Sequence, residues 1–151
     1  MKKLIVVCLI CVFIFTSGLY KKEFDFSKIE GLQVQIFTSN NEQNAQLNGY
    51  STVKNGEGLI IFCDYLEYLK IRKNCNNISG VTFVIEGNKN DYKKLINNLK
   101  ITFLDKNECD FIGFSNKFDS CVNYKNKKVN VQGYFSDNKI YIGTPLLLGS
   151  Y

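Results

Sequence analysis

The sequence predicts an α+β domain: an antiparallel sheet of hairpin-connected strands with one or two helices packed on one face. Three observations lead to this fold class. Several short segments alternate apolar and polar residues, as half-buried strands do. Turn signals such as Asn55-Gly56 separate these segments and favour hairpin connections. One segment in the second half of the chain has the spacing of an amphipathic helix, so strands outnumber helices.

The first half of the domain is predicted to be mainly strands. Leu32, Val34 and Ile36 alternate with two glutamines, which is the period of a strand with one buried face. Segment 64–73 fits a helical face or a strand face, so both readings stay open. Residues 74–80 are expected to form a loop. The strands expected in this half are 32–36, 45–53, 59–63 and 81–86.

The clearest helix is expected after Gly87. Asn90 is a residue type that caps helices, and Asp91 would be favourable in the first turn. Apolar residues then recur at the i, i+3, i+4 and i+7 spacing of a single helical stripe. The residues of this stripe are Tyr92, Leu95, Ile96 and Leu99.

The second half is predicted to return to strands. Gly113 lies inside one of them and indicates a bulge or a close backbone approach. Residues 115–124 are expected to be a connection, and Pro145 follows the last strand, which Gly143-Thr144-Pro145 ends. The strands expected here are 101–104, 111–114, 129–135 and 139–142.

The N-terminal segment has the order of a secretory signal peptide. Two lysines precede an unbroken apolar run from Leu4 to Phe15, and the small residues Thr16, Ser17 and Gly18 follow. We expect residues 1–18 to be a signal peptide, with an uncleaved N-terminal membrane anchor as the alternative. Residues 19–151 would then be a single domain, secreted or extracytoplasmic.

Composition excludes several classes of function. The 151-residue chain contains no histidine, which excludes Ser-His-Asp triads, Cys-His dyads and His-ligated zinc. Removal of residues 1–18 with their two lysines lowers the net charge from +5 to +3. This mild charge, the single arginine Arg72 and the export signal argue against nucleic-acid binding. No cofactor and no metal site is expected.

Four cysteines remain outside the leader, which permits two disulfides in an exported protein. The favoured pairing is local, Cys63 with Cys75 and Cys109 with Cys121, because each pair is twelve positions apart. Two alternatives stay open: Cys63 as a buried free thiol, and a metal site built from all four cysteines. The second lacks the closely spaced cysteine pairs that zinc sites use.

The C-terminal region carries a family resemblance. Segment 127–134 (KKVNVQGY), segment 141–147 (YIGTPLL) and the final Tyr151 together resemble the YwmB family, exported proteins of Gram-positive, mostly spore-forming bacteria. The resemblance covers the chain from about Val81 onward. It implies a TATA-box-binding-protein-like topology and an activity that is not established for the family. Gly133 stands where that family has arginine and Ser150 where it has an acidic residue, so no role is carried over for either.

Two classes of function follow. The first is a non-catalytic, envelope-associated or secreted module that binds a protein or a cell-wall polymer. The sequence does not distinguish this class from a small secreted effector or inhibitor. Its candidate surface combines aromatic and basic residues, although core packing is an alternative role for the aromatic ones: Phe111, Phe114, Phe118, Tyr124, Lys125, Lys127 and Lys128. The second is an envelope-glycan hydrolase using paired carboxylates, Asp64 with Glu67 or Glu108 with Asp110.

Overall fold

A computed structural model describes residues 24–39, 50–56 and 58–147. The expected signal peptide 1–18 and part of the expected strand 45–53 lie outside the described residues. The elements, in chain order, are β1 Gln33–Thr38, β2 Ser51–Asn55, β3 Gly58–Asp64, α1 Tyr65–Asn74, β4 Ile78–Glu86, α2 Lys89–Leu99, β5 Thr102–Lys106, β6 Asp110–Phe114, β7 Val122–Tyr124, β8 Lys127–Val129, β9 Val131–Ser136 and β10 Lys139–Thr144.

Eight strands form one sheet in the order β2-β3-β1-β4-β10-β9-β6-β5, and every neighbouring pair is antiparallel. Strands β7 and β8 pair separately as a small hairpin. Together with the two helices, the large sheet confirms the predicted α+β class. The central contact between β4 and β10 joins the first half of the domain to its last hairpin.

Both helices lie on the same face of the sheet. Phe83 of β4 and Phe111 of β6 share that face, because a series of direct cross-strand pairs through β10 and β9 links them. Tyr68 of α1 packs edge-on to Phe83 with ring centroids 5.7 Å apart. Tyr92 of α2 packs against Phe111 at 6.3 Å. The core therefore fills the space between the helices and one sheet face.

Helix α1 settles the ambiguous segment 64–73 in favour of a helix. The Asp64 carboxylate accepts a hydrogen bond from the Glu67 N–H at 2.8 Å, and the Glu67 carboxylate accepts one from the Asp64 N–H at 3.3 Å. This reciprocal capping box satisfies two donors at the start of the helix. Tyr68 and Ile71 are then buried on its inner face.

Helix α2 has the predicted apolar stripe, but its cap is different. Tyr92, Leu95, Ile96 and Leu99 are all buried, as predicted. The prediction of Asn90 as the cap was wrong, because Asn88 caps the helix and accepts hydrogen bonds from two main-chain N–H groups. Of the two asparagines, Asn88 is the one with an acidic residue three positions later. The carboxylate of that residue, Asp91, accepts a hydrogen bond from the Asn88 N–H.

Several strand limits differ from the prediction because they depend on distant partners. Strand β4 begins at Ile78, inside the expected loop, where it pairs with Thr38 of β1. Strand β5 extends to Lys106 because it pairs there with Phe111. The β7–β8 hairpin occupies part of the expected connection 115–124 and the following turn.

The prediction of a close backbone approach at Gly113 is confirmed. A Cβ atom at this position would lie 2.5 Å from the Thr102 carbonyl oxygen of the neighbouring strand β5. The irregularity in this pair of strands lies on β5, between Phe103 and Asp105, rather than in β6 itself. A side chain at Gly113 would therefore push the edge strand away from the sheet.

Candidate functional site

A groove of about 570 Å³ lies at the end of the sheet where β4 begins and β10 ends. Four parts of the chain line it: the segment before β1, helix α1 with the residues that follow it, the start of β4, and the connection 117–122 beside the end of β10. We call it the aromatic groove. Its aromatic lining residues are Phe24, Phe26, Tyr65, Tyr68, Phe83 and Phe118.

The aromatic floor of the groove is part of the core. The Phe26 ring stacks on the Phe83 ring with centroids 4.0 Å apart and an angle of 12° between planes. Phe118 lies 6.5 Å from Phe26 in a parallel arrangement. These three side chains are at most 8% exposed, so neighbouring groups on all sides hold them in place. The three buried rings are therefore a rigid base beneath the groove, and the half-buried rings of Phe24 and Tyr65 are the aromatic groups that a ligand can contact.

The rim of the groove is polar and carries charges of both signs. Arg72 of α1 and Lys117 contribute positive charge, and Asp119 contributes negative charge. The Ser120 hydroxyl lies 3.5 Å from the Thr144 hydroxyl and connects the 117–122 segment to the end of β10. Such a combination of apolar floor and polar rim is common in ligand-binding clefts.

The buried amide of Asn130 holds one wall of the groove. Asn130 is fully buried, and its side-chain oxygen accepts a hydrogen bond from the Ser115 N–H at 2.8 Å. Its amide nitrogen donates to the carbonyl oxygens of Ser115 and Phe118 at 2.7 and 2.9 Å. The Ser115 hydroxyl in turn donates to the Leu99 carbonyl oxygen at the end of α2. This network fixes the turn that places Phe118 in the floor.

The start of β4 leaves a gap in the sheet beside the groove. The last pair between β4 and β10 joins Val81 to Thr144, so Ile78, Ser79 and Gly80 have no partner in β10. On the other side the register with β1 shifts, and it passes from Gly80 to Ile78. Within the described chain, Ser79 therefore has no strand partner on either side, and it is exposed in the groove.

The surface predicted from the sequence does not form one patch. Phe111 and Phe118 are buried at 2% and 8% exposure, which matches the alternative role of core packing. Phe114 is half-buried on the sheet face opposite the helices. Only Tyr124, Lys125, Lys127 and Lys128 stay together, exposed on the β7–β8 hairpin, where the Lys125 ammonium lies 5.3 Å from the Tyr124 ring centre.

All four cysteines are free thiols in the structure. Helix α1, with ten residues, separates Cys63 from Cys75 by about 15 Å, whereas a disulfide needs Cα atoms within about 7 Å. Cys109 precedes β6, and Cys121 lies beyond its other end, in the groove with Cys75. Neither local pairing therefore fits this fold, because a regular element lies between the two cysteines of each pair.

Cys63 is a half-buried thiol near the end of β3, two residues before α1 begins. Burial raises its pKa to about 12, and the nearby carboxylates of Glu67 and Asp64 add to the effect. Such a thiol is protonated at neutral pH and is a poor nucleophile. This matches the free-thiol alternative for Cys63.

The carboxylates considered for acid–base chemistry have structural partners. Asp64 and Glu67 form the capping box of α1. Glu108 makes a salt bridge of 2.8 Å with Lys89, and Asp110 accepts a hydrogen bond from the Asn107 amide at 3.1 Å. Each pair is therefore occupied in holding a helix end or a turn, rather than facing a common cleft.

Sequence reasoning missed most of the groove. Phe26 lies before the first predicted strand, where the sequence indicates no site, and Asn130 lies within the predicted strand 129–135, where a polar residue has no special role. The sequence offers one indication for Asn130, which is its position between two valines. Both Val129 and Val131 are buried in the structure. An asparagine between two buried valines must find buried hydrogen-bond partners.

No family model, no curated protein and no solved structure matches this chain. In the described parts, neither helix has the length and apolar character required to cross a bilayer. Across the same residues, His, Cys, Asp and Glu side chains do not gather in groups of three that could hold a metal ion.

Proposed function

We propose that this chain is an exported, non-catalytic binding module of the cell envelope or the extracellular medium, and that the aromatic groove takes an extended segment of another polypeptide. The observation that carries the proposal is the gap beside the first residues of β4. An extended peptide could occupy the place that β10 leaves and pair with the main chain of 78–80. Strand addition of this kind is a recurrent mode of peptide recognition.

The floor of the groove supplies the second part of the recognition. A peptide paired with β4 would direct alternate side chains to each face of the sheet. On the helix-bearing face these side chains would meet the half-buried rings of Phe24 and Tyr65, which pack against the buried Phe26. We therefore expect a preference for an aromatic or large aliphatic residue in the bound segment.

Export rests on the N-terminal segment and on the resemblance to the YwmB family, and both remain predictions. A glycan hydrolase is less well supported, because Asp64, Glu67, Glu108 and Asp110 have the structural partners described above. A wall polymer as the ligand is an outcome that the binding experiment distinguishes from a peptide.

The experiment selects peptides from a random dodecapeptide display library on purified residues 19–151. Binding is then mapped by amide hydrogen exchange with a selected synthetic peptide. We expect new protection at the amides of 78–80 and none on the β7–β8 hairpin. Protection elsewhere, or binding of wall polymer without any selected peptide, would overturn the proposed mode.

Two variants of Ser79 provide a matched comparison. Ser79→Pro removes a main-chain donor from the gap, whereas Ser79→Ala keeps the donor and removes only the hydroxyl. We expect the proline variant to lose peptide binding and the alanine variant to keep it. Thermal unfolding of both variants checks that the fold is retained. Intact mass of the protein secreted by its native host, unreduced and reduced, tests export and the state of the cysteines.

A further inference from the structure

A second concave site lies at the other end of the domain. It is a cleft of about 420 Å³ between helix α2 and the turn that joins β5 to β6. Its polar and charged lining residues include Lys89, Tyr92, Lys93, Lys106, Asn107 and Glu108. We call it the lysine cleft. It shares no lining residue with the aromatic groove.

The lysine cleft has an excess of positive charge. It contains three lysines and one glutamate. The Lys89 ammonium donates to the Glu108 carboxylate at 2.8 Å, and this bond lowers the pKa of Glu108, with a smaller contribution from Lys93. Lys93 therefore lies close to the same wall. Three lysines and one glutamate leave a net charge of +2 on the lining side chains, while the carboxylate of Asp110, which acts on Tyr92, lies outside the lining.

Lys106 faces the cleft from the opposite side, on β5. Its ammonium lies 4.3 Å from the ring centre of Phe103, which is a favourable cation–π distance. This contact holds the charged group near the sheet edge and uses only one side of it. The remaining N–H donors are available to an acceptor in the cleft.

Tyr92, one of the residues that line the cleft, has an unsatisfied hydroxyl group. Tyr92 is only 2% exposed, and its hydroxyl is buried and makes no hydrogen bond. Its ring is fixed between Phe111 and Phe135, with the Phe135 centroid at 5.9 Å. Burial raises the pKa of this hydroxyl, and the charges of Asp110 and Cys109 add to the effect. The group is therefore a protonated donor that lacks an acceptor, an uncommon situation in a folded protein.

We propose that the lysine cleft binds a phosphate group, with Lys93 and Lys106 neutralising its charge and the Tyr92 hydroxyl donating to one of its oxygens. A phosphate group offers several strong acceptors to ammonium donors at once. It also supplies the acceptor that Tyr92 lacks. The group could belong to free inorganic phosphate or to the phosphodiesters of an anionic envelope polymer. These two sources share the same chemistry.

The test measures binding of inorganic phosphate and of a poly(glycerol phosphate) chain to residues 19–151 by calorimetry, at matched ionic strength in chloride. The double variant Lys93→Gln, Lys106→Gln should weaken binding by about tenfold or more, since charge-assisted hydrogen bonds are lost. The control replaces Lys94 of α2 and Lys100, which follows the helix, with glutamine. Both are exposed and neither lines the cleft, so binding should change by less than about twofold.

Tyr92→Phe distinguishes a specific hydrogen bond to phosphate from general charge attraction, because the substitution leaves the charge of the cleft unchanged. Without phosphate, the phenylalanine variant should be as stable as the parent or more stable, because the hydroxyl it removes has no partner. Phosphate binding should nevertheless weaken several-fold. Equal binding by Tyr92→Phe and the parent, or equal losses in the two double variants, would overturn the proposal. Binding of inorganic phosphate alone would assign the site to the free ion, and binding of both probes would favour the polymer.

Discussion

Replacing Asn130 with alanine should destabilise the protein more than any other single polar substitution in the groove wall. The change removes three hydrogen bonds of 2.7 to 2.9 Å and leaves their main-chain partners without a replacement. At about 1 kcal/mol for each net bond, the expected loss in unfolding free energy is about 3 kcal/mol. The cavity left by the missing amide would add to this loss.

Urea denaturation of residues 19–151 measures the effect. In thermal unfolding, the same loss of about 3 kcal/mol should lower the melting temperature by about 10 °C for a domain of this size. Asn123→Ala, at an exposed position of β7, is the control and should change stability by less than about 0.5 kcal/mol. If the two variants were equally stable, the Asn130 network would not hold the groove wall as argued.

Asn130→Asp tests the amide donor of Asn130 independently of its acceptor oxygen. The substitution has nearly the same shape and keeps the acceptor for the Ser115 N–H, but it places an oxygen opposite two carbonyl oxygens. The buried carboxylate would be disfavoured in its charged form, which raises its pKa. The variant should therefore become less stable as the pH rises from 4 towards 7, unlike the alanine variant. A pH-independent difference would contradict this account.

Four further predictions concern individual residues. Gly113→Ala should cost about 1–3 kcal/mol in urea denaturation, because its Cβ would lie 2.5 Å from the Thr102 carbonyl oxygen; an unchanged midpoint would contradict the close approach. Asp64→Ala should cost about 1 kcal/mol through loss of the α1 cap, and Asp64→Asn should restore most of it. In the reduced protein at pH 8, iodoacetamide should modify exposed Cys109 well before Cys63, whose pKa of about 12 keeps it protonated. Because the pKa of Cys63 in the folded protein is above the ordinary thiol value of 9.0, the stability present below pH 9 should decline as the pH rises towards 12.

The parts of the fold that follow from local pattern were predictable from the sequence. Alternation predicted β1 and β9, a hairpin turn predicted β10 as the partner of β9, and helical spacing predicted the buried stripe of α2. Segment 64–73 was ambiguous because α1 buries few residues, so the capping box decides where it begins. Helical spacing and strand alternation depend on neighbouring residues and were predictable, whereas the ends of strands depend on distant partners and were not.

The candidate sites were less predictable because they depend on contacts between distant residues. The groove unites Phe26, Arg72 and Phe118, which are far apart in the sequence and have no common motif. Aromatic residues near a basic turn indicated a surface, yet Phe111 faces the core because it lies on the side of β6 that packs against the helices. Composition alone does not distinguish a buried aromatic residue from an exposed one.

The two proposed sites lie at opposite ends of β4, and this makes their tests independent. The strand begins at Ile78 beside the aromatic groove and ends at Glu86, three residues before Lys89 of the lysine cleft. Nine residues of strand span about 30 Å. Effects of substitutions at such a distance, with no shared partners, are generally additive. Loss of peptide binding in Ser79→Pro should therefore leave phosphate binding unchanged, and any coupling between the two would have to pass through β4 and the core beneath α2.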